Sequence, residues 1–101
     1  VRDLGKLEEA VFSYRKALRL KPDYTEANYN LGNALQDLGK SENAIASYRK
    51  ALNLKPDYAE AHNNLGNALQ DLGKLEEAVT SYHKAASSSI LQRLIAISAT
   101  H

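Results

Sequence analysis

The chain copies itself at a fixed step of thirty-four residues, and this constrains its fold more than any other feature. Gly5, Gly39 and Gly73 stand at that step, as do Tyr14, Tyr48 and Tyr82. Ala10, Ala44 and Ala78 keep it too, and so do Ala17, Ala51 and Ala85. Gly32 pairs with Gly66, and Pro22 with Pro56. The stretch from Asp3 to Val11 returns letter for letter from Asp71 to Val79. A period of this size marks a stacked array, in which each unit is one supersecondary element that buries its apolar face against its neighbours.

Within a unit the pattern is helical twice. Ala27, Leu31, Ala34, Leu35 and Leu38 fall on one stripe at i, i+4, i+7, i+8 and i+11, and a second stripe runs through Ala44, Ile45, Tyr48, Ala51 and Leu52. Gly39 between them suits the left-handed position that ends a helix. Pro56 lacks an N–H and cannot continue the second helix. Asp23-Tyr24-Thr25-Glu26 and Asp57-Tyr58-Ala59-Glu60 read as capping boxes opening the next helix. Short connections make consecutive helices antiparallel neighbours. Gly32 is expected against Ala44, and Gly66 against Ala78, with Tyr48 and Tyr82 filling the wider space one turn on. The predicted architecture is all-α, a solenoid of antiparallel helix pairs.

Composition narrows the function classes. Thirteen basic against twelve acidic residues give a net charge of +1, without the phosphate-neutralising excess of a general nucleic-acid binder. No apolar run reaches the roughly 18–20 residues needed to span a bilayer. The absence of cysteine removes disulfides and thiolate chemistry, and it is compatible with a reducing, cytoplasmic setting. His62, His83 and His101 lack an i, i+4 metal spacing. Gly39-Lys40-Ser41 has the end of a phosphate-loop motif, but Gly32 is too distant and the context is helical. Glu8, Glu9, Glu76 and Glu77 sit at helix starts, where the macrodipole favours them. Neither an enzyme nor a cofactor or metal site is expected.

Leu31-Gly32 in the first helix, Ala44-x-x-x-Tyr48 in the second and the closing Pro56 resemble the tetratricopeptide repeat, as do Leu65-Gly66 and Ala78-x-x-x-Tyr82. The usual tryptophan is Asn28 or His62 here, and an aromatic place is Leu35 or Leu69. On this frame residues 1–24 supply mainly the second helix of a first repeat, beginning near the end of its first helix. Residues 25–58 form a complete repeat and 59–86 a third with an atypical ending. A chain that starts at Val1 without a secretory leader is expected to be processed or cut from a longer one. Without its partner helix, the face of Val11, Tyr14 and Leu18 is expected to lie open.

The tail, residues 87–101, reads Ser87-Ser88-Ser89-Ile90 where a closing proline belongs. Ile90, Leu94 and Ile97, widened by Leu91, Ile95 and Ala99, form an apolar helical stripe. The expected role is a C-terminal capping helix over the last repeat. Continuation of the preceding helix is the second reading. A membrane-surface helix is the weakest, because Arg93 is the only strong charge. The tail of a neighbouring copy in the open N-terminal face would give a homo-oligomer.

The resemblance implies a protein-interaction module whose first helices line a concave groove. That places Glu26, Tyr29, Asn30, Asn33, Gln36 and Asp37 in the groove, with Glu60, Asn63, Asn64, Asn67, Gln70 and Asp71 at matching places. The asparagines resemble the ladder in the repeat region of O-linked N-acetylglucosamine transferases. Asparagine both donates and accepts, so such a column suits the backbone of an extended peptide. The alternative for Asn30 and Asn64 is a hydrogen bond to an adjacent repeat. Family members that grip acidic chaperone tails use lysines and an arginine where this chain has Tyr29, Asn63 and Asn67. With acids and no cations predicted in the groove, the expected partner is a neutral or basic extended segment. A substrate-recruiting region of a larger enzyme, such as a glycosyltransferase, and a self-assembling structural array are the alternatives.

Overall fold

The computed structural model describes residues 3–99, in five helices: α1 (Leu4–Leu20), α2 (Thr25–Asp37), α3 (Ser41–Leu54), α4 (Ala59–Asp71) and α5 (Leu75–Ala99). Each packs against the next, and α2 also touches α4. Consecutive pairs therefore stack side by side as an all-α solenoid. The core is Leu31, Leu35, Ala44, Tyr48, Leu65, Ala68, Leu69 and Ala78, a single cluster spanning α2 to α5.

The closest approach in this core differs from the sequence expectation. A Cβ placed on Gly32 would first meet the Tyr48 ring, at 2.6 Å, and one on Gly66 would meet Tyr82 at the same distance. Each glycine is thus the floor beneath a tyrosine ring, where Ala44 and Ala78 had been expected. Tyr48 is completely buried, whereas Tyr82 is half-buried at the end of the array.

The turns follow two recipes. Between α2 and α3, and again between α4 and α5, Gly39 and Gly73 adopt φ of 79° and 75°. The Lys40 N–H closes onto the Leu35 carbonyl at 2.8 Å, as in a Schellman ending. Nothing lies within 4 Å of a Cβ built on either glycine, so the left-handed backbone, not space, selects glycine there. After α1 and α3, Tyr24 N–H bonds Lys21 C=O at 3.2 Å, and Tyr58 N–H bonds Lys55 C=O at 3.1 Å. Pro22 and Pro56 take the second place of these β-turns, which suits their fixed φ.

This geometry replaces the expected capping boxes. Asp23 and Asp57 lie inside the turns, and the N-cap residues are Tyr24 and Tyr58, neither with a side-chain cap. Side chains from the first turn reach back instead. Asn28 Nδ2 donates to Pro22 O at 3.4 Å and Tyr24 O at 3.2 Å, and His62 Nε2 lies 2.8 Å from Pro56 O. Both residues are buried. They hold the chain reversal where the family's tryptophan would pack.

Two further expectations are corrected. Asp3-Leu4-Gly5 does not end a helix: Asp3 caps α1, accepting from the Lys6 N–H at 3.2 Å. The same nine letters at Asp71–Val79 end α4, turn at Gly73 and open α5. Val11, Tyr14 and Leu18 are partly buried against the core rather than open, while Leu4 and Phe12 are exposed.

The tail is not a separate capping helix. Ile90 stands one period after Pro56, and without proline α5 runs unbroken from Leu75 to Ala99. It touches the last repeat through buried Ser88 and through Gln92, whose Nε2 donates to Asp57 O at 2.9 Å. Ile90, Leu91, Leu94 and Ile95 face solvent. No helix among the described residues is long and apolar enough to cross a membrane.

Gly32→Ala is expected to cost about 1–3 kcal/mol by forcing the buried Tyr48 ring aside. Gly66→Ala should cost less, because Tyr82 has room to move. Urea midpoints that fail to rank the variants in this order would refute the packing assignment. Ile90→Pro is expected to abolish helical carbon-13 shifts beyond about residue 86 while leaving those of α2 to α4 in place.

Candidate concave groove

The inner face is built from α2 and α4, with tyrosines from the flanking helices closing onto it. The Tyr48 hydroxyl from α3 lies 2.6 Å from Asn33 Oδ1 and 2.9 Å from Gln36 Oε1. One period on, the Tyr82 hydroxyl lies 2.6 Å from Asn67 Oδ1 and 3.0 Å from Gln70 Oε1. A phenol has one proton to give, so it serves one amide carbonyl at a time. The ring of each tyrosine sits on the helix-pair glycine while its polar end reaches the groove.

An amide crosses from one repeat to the next on this face. Asn64 Nδ2 donates to Tyr29 Oη at 2.9 Å and to Asn33 Oδ1 at 2.9 Å, crossing from α4 to α2. Asn64 therefore takes the role expected as the alternative, a bond to the adjacent repeat. Tyr29 anchors the junction, with its ring 4.9 Å from Tyr58 and 6.0 Å from Tyr48, tilted against each.

This network decides which amide ends remain available. Asn33 Oδ1 accepts from Asn64 and, when the phenol turns to it, from Tyr48, which then uses its two lone pairs. Its NH2 group carries no bond within the chain among the described residues. Asn64 spends both N–H groups, and its Oδ1 is left over. A donor from one repeat thus stands beside an acceptor from the next.

The expected groove residues separate into groups. Tyr29, Glu60, Asn63 and Asn64 come together around one cavity of ≈ 460 Å³, which Ala59, Tyr82, Ala85, Ala86 and Ser89 complete. Asn33 and Gln36 surround the Tyr48 hydroxyl, and Asn67 and Gln70 that of Tyr82. Glu26 is exposed in the first turn of α2, and Asn30 is half-buried one turn further along. Asp37 ends α2. Asp71 ends α4 beside the Gly39–Asn43 turn, away from the asparagine cluster. Tyr48, Tyr82 and Ser89 were missed as groove residues. The signal for the tyrosines was their place on the apolar stripe, because a packed ring must carry its hydroxyl to a polar partner.

Burial, reinforced by the neighbouring Tyr29 and Asp37, pushes the Tyr48 phenol well above its ordinary ionisation range, and Tyr58 is raised by the same first cause. Among the described residues, no group of three or more His, Asp or Glu side chains is placed to hold a metal.

Residues 1–39 and 35–73 each match the family described as TPR repeat, and residues 59–88 match the tetratricopeptide repeat. The chain belongs to the tetratricopeptide repeat family. Among solved structures it is similar to MamA, with 27% identity and a TM-score of 0.84 over 87% of this chain and 52% of that one. MamA MSR-1 gives 29% and 0.83, covering 86% and 50%. MamA AMB-1 gives 29% and 0.80, covering 84% and 50%. The chain thus spans about half the length of these relatives. No curated protein matched its sequence.

Because the raised Tyr48 ionisation favours the protonated folded state, its stabilisation is complete below pH about 10, the unfolded value. It is lost progressively as pH rises above that point. In a tyrosinate absorbance titration Tyr48 should ionise last, and Tyr48→Phe should remove that late phase.

Proposed function

We propose that the chain is a protein-interaction module that holds an extended peptide, neutral or basic, along its concave face. The observation that carries this reading is the cross-repeat asparagine pair. The Asn33 NH2 suits a peptide carbonyl, and the adjacent Asn64 Oδ1 suits a peptide N–H. Every residue of an extended chain offers both groups, so the pair favours backbone recognition with little regard to side chains. Helix interiors disfavour asparagine, and the tie to Tyr29 and Tyr48 offsets that cost for Asn33 and Asn64.

Charge gives the preference. Glu60 lines the cavity beside Asn63 and Asn64, and neither lysine nor arginine lines it. Glu26 adds negative charge in the first turn of α2. A basic peptide is attracted and an acidic one repelled, with a salt dependence typical of exposed charges. The same recognition would serve a free-standing adaptor or a substrate-recruiting region of a larger enzyme, as the asparagine pattern's resemblance to glycosyltransferase repeats suggests.

The test uses fluorescence anisotropy with basic, neutral and acidic versions of one extended peptide at moderate salt. Affinity should fall in that order, and Asn33→Ala with Asn67→Ala should weaken the basic peptide by roughly tenfold, about 1.4 kcal/mol. Tighter binding of the acidic version would overturn the charge preference, and indifference to the double substitution would overturn the groove.

A further inference from the structure

The opposite face carries a second feature that repeats with the sequence period. His62 and Asn64 are two residues apart on α4, roughly 200° around the helix, so His62 belongs to the side turned away from the asparagine cluster. There it lines a cavity of ≈ 840 Å³ between α3 and α5, with Arg49, Asn53, His83 and Lys84. One repeat earlier a cavity of ≈ 520 Å³ between α1 and α3 is lined by Arg15, Arg19, Asn28 and Lys50. Arg15 and Arg49 are period mates, as are Lys50 and Lys84, and Asn28 and His62.

Both linings contain cations and no carboxylate. Among the described residues, none of these arginines or lysines has an ion-pair partner. The cations are exposed, whereas Ser47 in the smaller cavity and Ser81 and Ser88 in the larger are buried. The polar floor of the larger cavity is incomplete. His62 is 7% exposed, and its Nε2 is engaged by Pro56 O, which can only accept. Nε2 therefore carries the proton, and Nδ1 is a buried acceptor without a partner, which suits an N–H of a bound segment and not a phosphate oxygen.

Guanidinium and ammonium groups without neighbouring carboxylates, over a floor that includes serines, are the chemistry that receives a phosphate monoester. Neither lining contains a tyrosine, phenylalanine or tryptophan on which a nucleic-acid base would stack. Leucines complete both walls, Leu52 and Leu65 in one and Leu18, Leu31 and Leu35 in the other. Recessed apolar walls fit the side chains flanking a phosphorylated residue better than a flat lipid surface. We propose that this convex face binds phosphorylated peptide segments, with phosphoserine or phosphothreonine seated between Arg49 and Lys84. The Arg15, Arg19 and Lys50 cavity offers a second seat one repeat away.

Amide NMR titration tests this, using a soluble peptide bearing two phosphoserines, each flanked by leucine. Its unphosphorylated twin, inorganic phosphate, a single-stranded oligonucleotide and phosphatidylserine vesicles are the comparison arms. The phosphopeptide should shift amides in the second half of α3 and in residues 80–88 of α5, and bind more tightly than every other probe. Arg49→Glu with Lys84→Glu, both at exposed positions and checked for unchanged circular dichroism, should weaken it roughly tenfold or more. Asn33→Ala with Asn67→Ala should leave it unchanged, which separates this site from the concave groove. An absent response, an equal response to the unphosphorylated twin, or insensitivity to charge reversal overturns the proposal. Equal or stronger binding of inorganic phosphate, oligonucleotide or vesicles overturns the assignment to a peptide.

Discussion

The contact between a tyrosine ring and a side-chain-free patch of the partner helix sets everything else in this fold. Gly32 lets α2 and α3 approach until the Tyr48 ring fills the space above it. Once the ring is fixed, its hydroxyl has one place to go, the inner face at Asn33 and Gln36. One residue therefore links the apolar packing within a repeat to the polar lining of the groove. Asn64 then joins that lining to the next repeat by sharing the Asn33 carbonyl. Packing density, inter-repeat order and the available amide ends are consequences of one another.

Most of the fold was legible because a repeated sequence states its rules several times. Two apolar stripes per period, a glycine at one junction and a proline at the other left few alternatives to stacked helix pairs. Legibility failed where one local signal had two structural uses. Asp23 and Asp57 carry cap-like spacing, but the preceding prolines commit them to a β-turn, and Asn28 and His62 secure the reversal instead. The identical stretches beginning at Asp3 and Asp71 show the same ambiguity. Leu4-Gly5 lies within α1, capped by Asp3, whereas Leu72-Gly73 turns where α4 ends. Nine identical residues cannot encode both outcomes by propensity alone.

The concave site was legible by side but not by atom. Helical spacing separated polar from apolar positions, so Tyr29, Asn33, Asn64 and Asn67 were placed on one surface. It could not say which asparagines spend their donors within the chain and which keep them. That depends on the tilt of one repeat against the next, a tertiary quantity. The convex cavities were invisible for a related reason. Arg15, Arg49, Lys50 and Lys84 read as ordinary solvated charges until the stacked helices left furrows beneath them without carboxylates.

The unbroken course of α5 gives the last repeat a lever arm. From Leu75 to Ala99 a single hydrogen-bonded rod carries both the packed face of the final helix pair and the segment beyond Gln92. A small rotation of α5 against α4 is carried along the rod to its far end. Whatever alters the seating of Tyr82 on Gly66 moves the leucines and isoleucines near Ala99 without bending the helix between them.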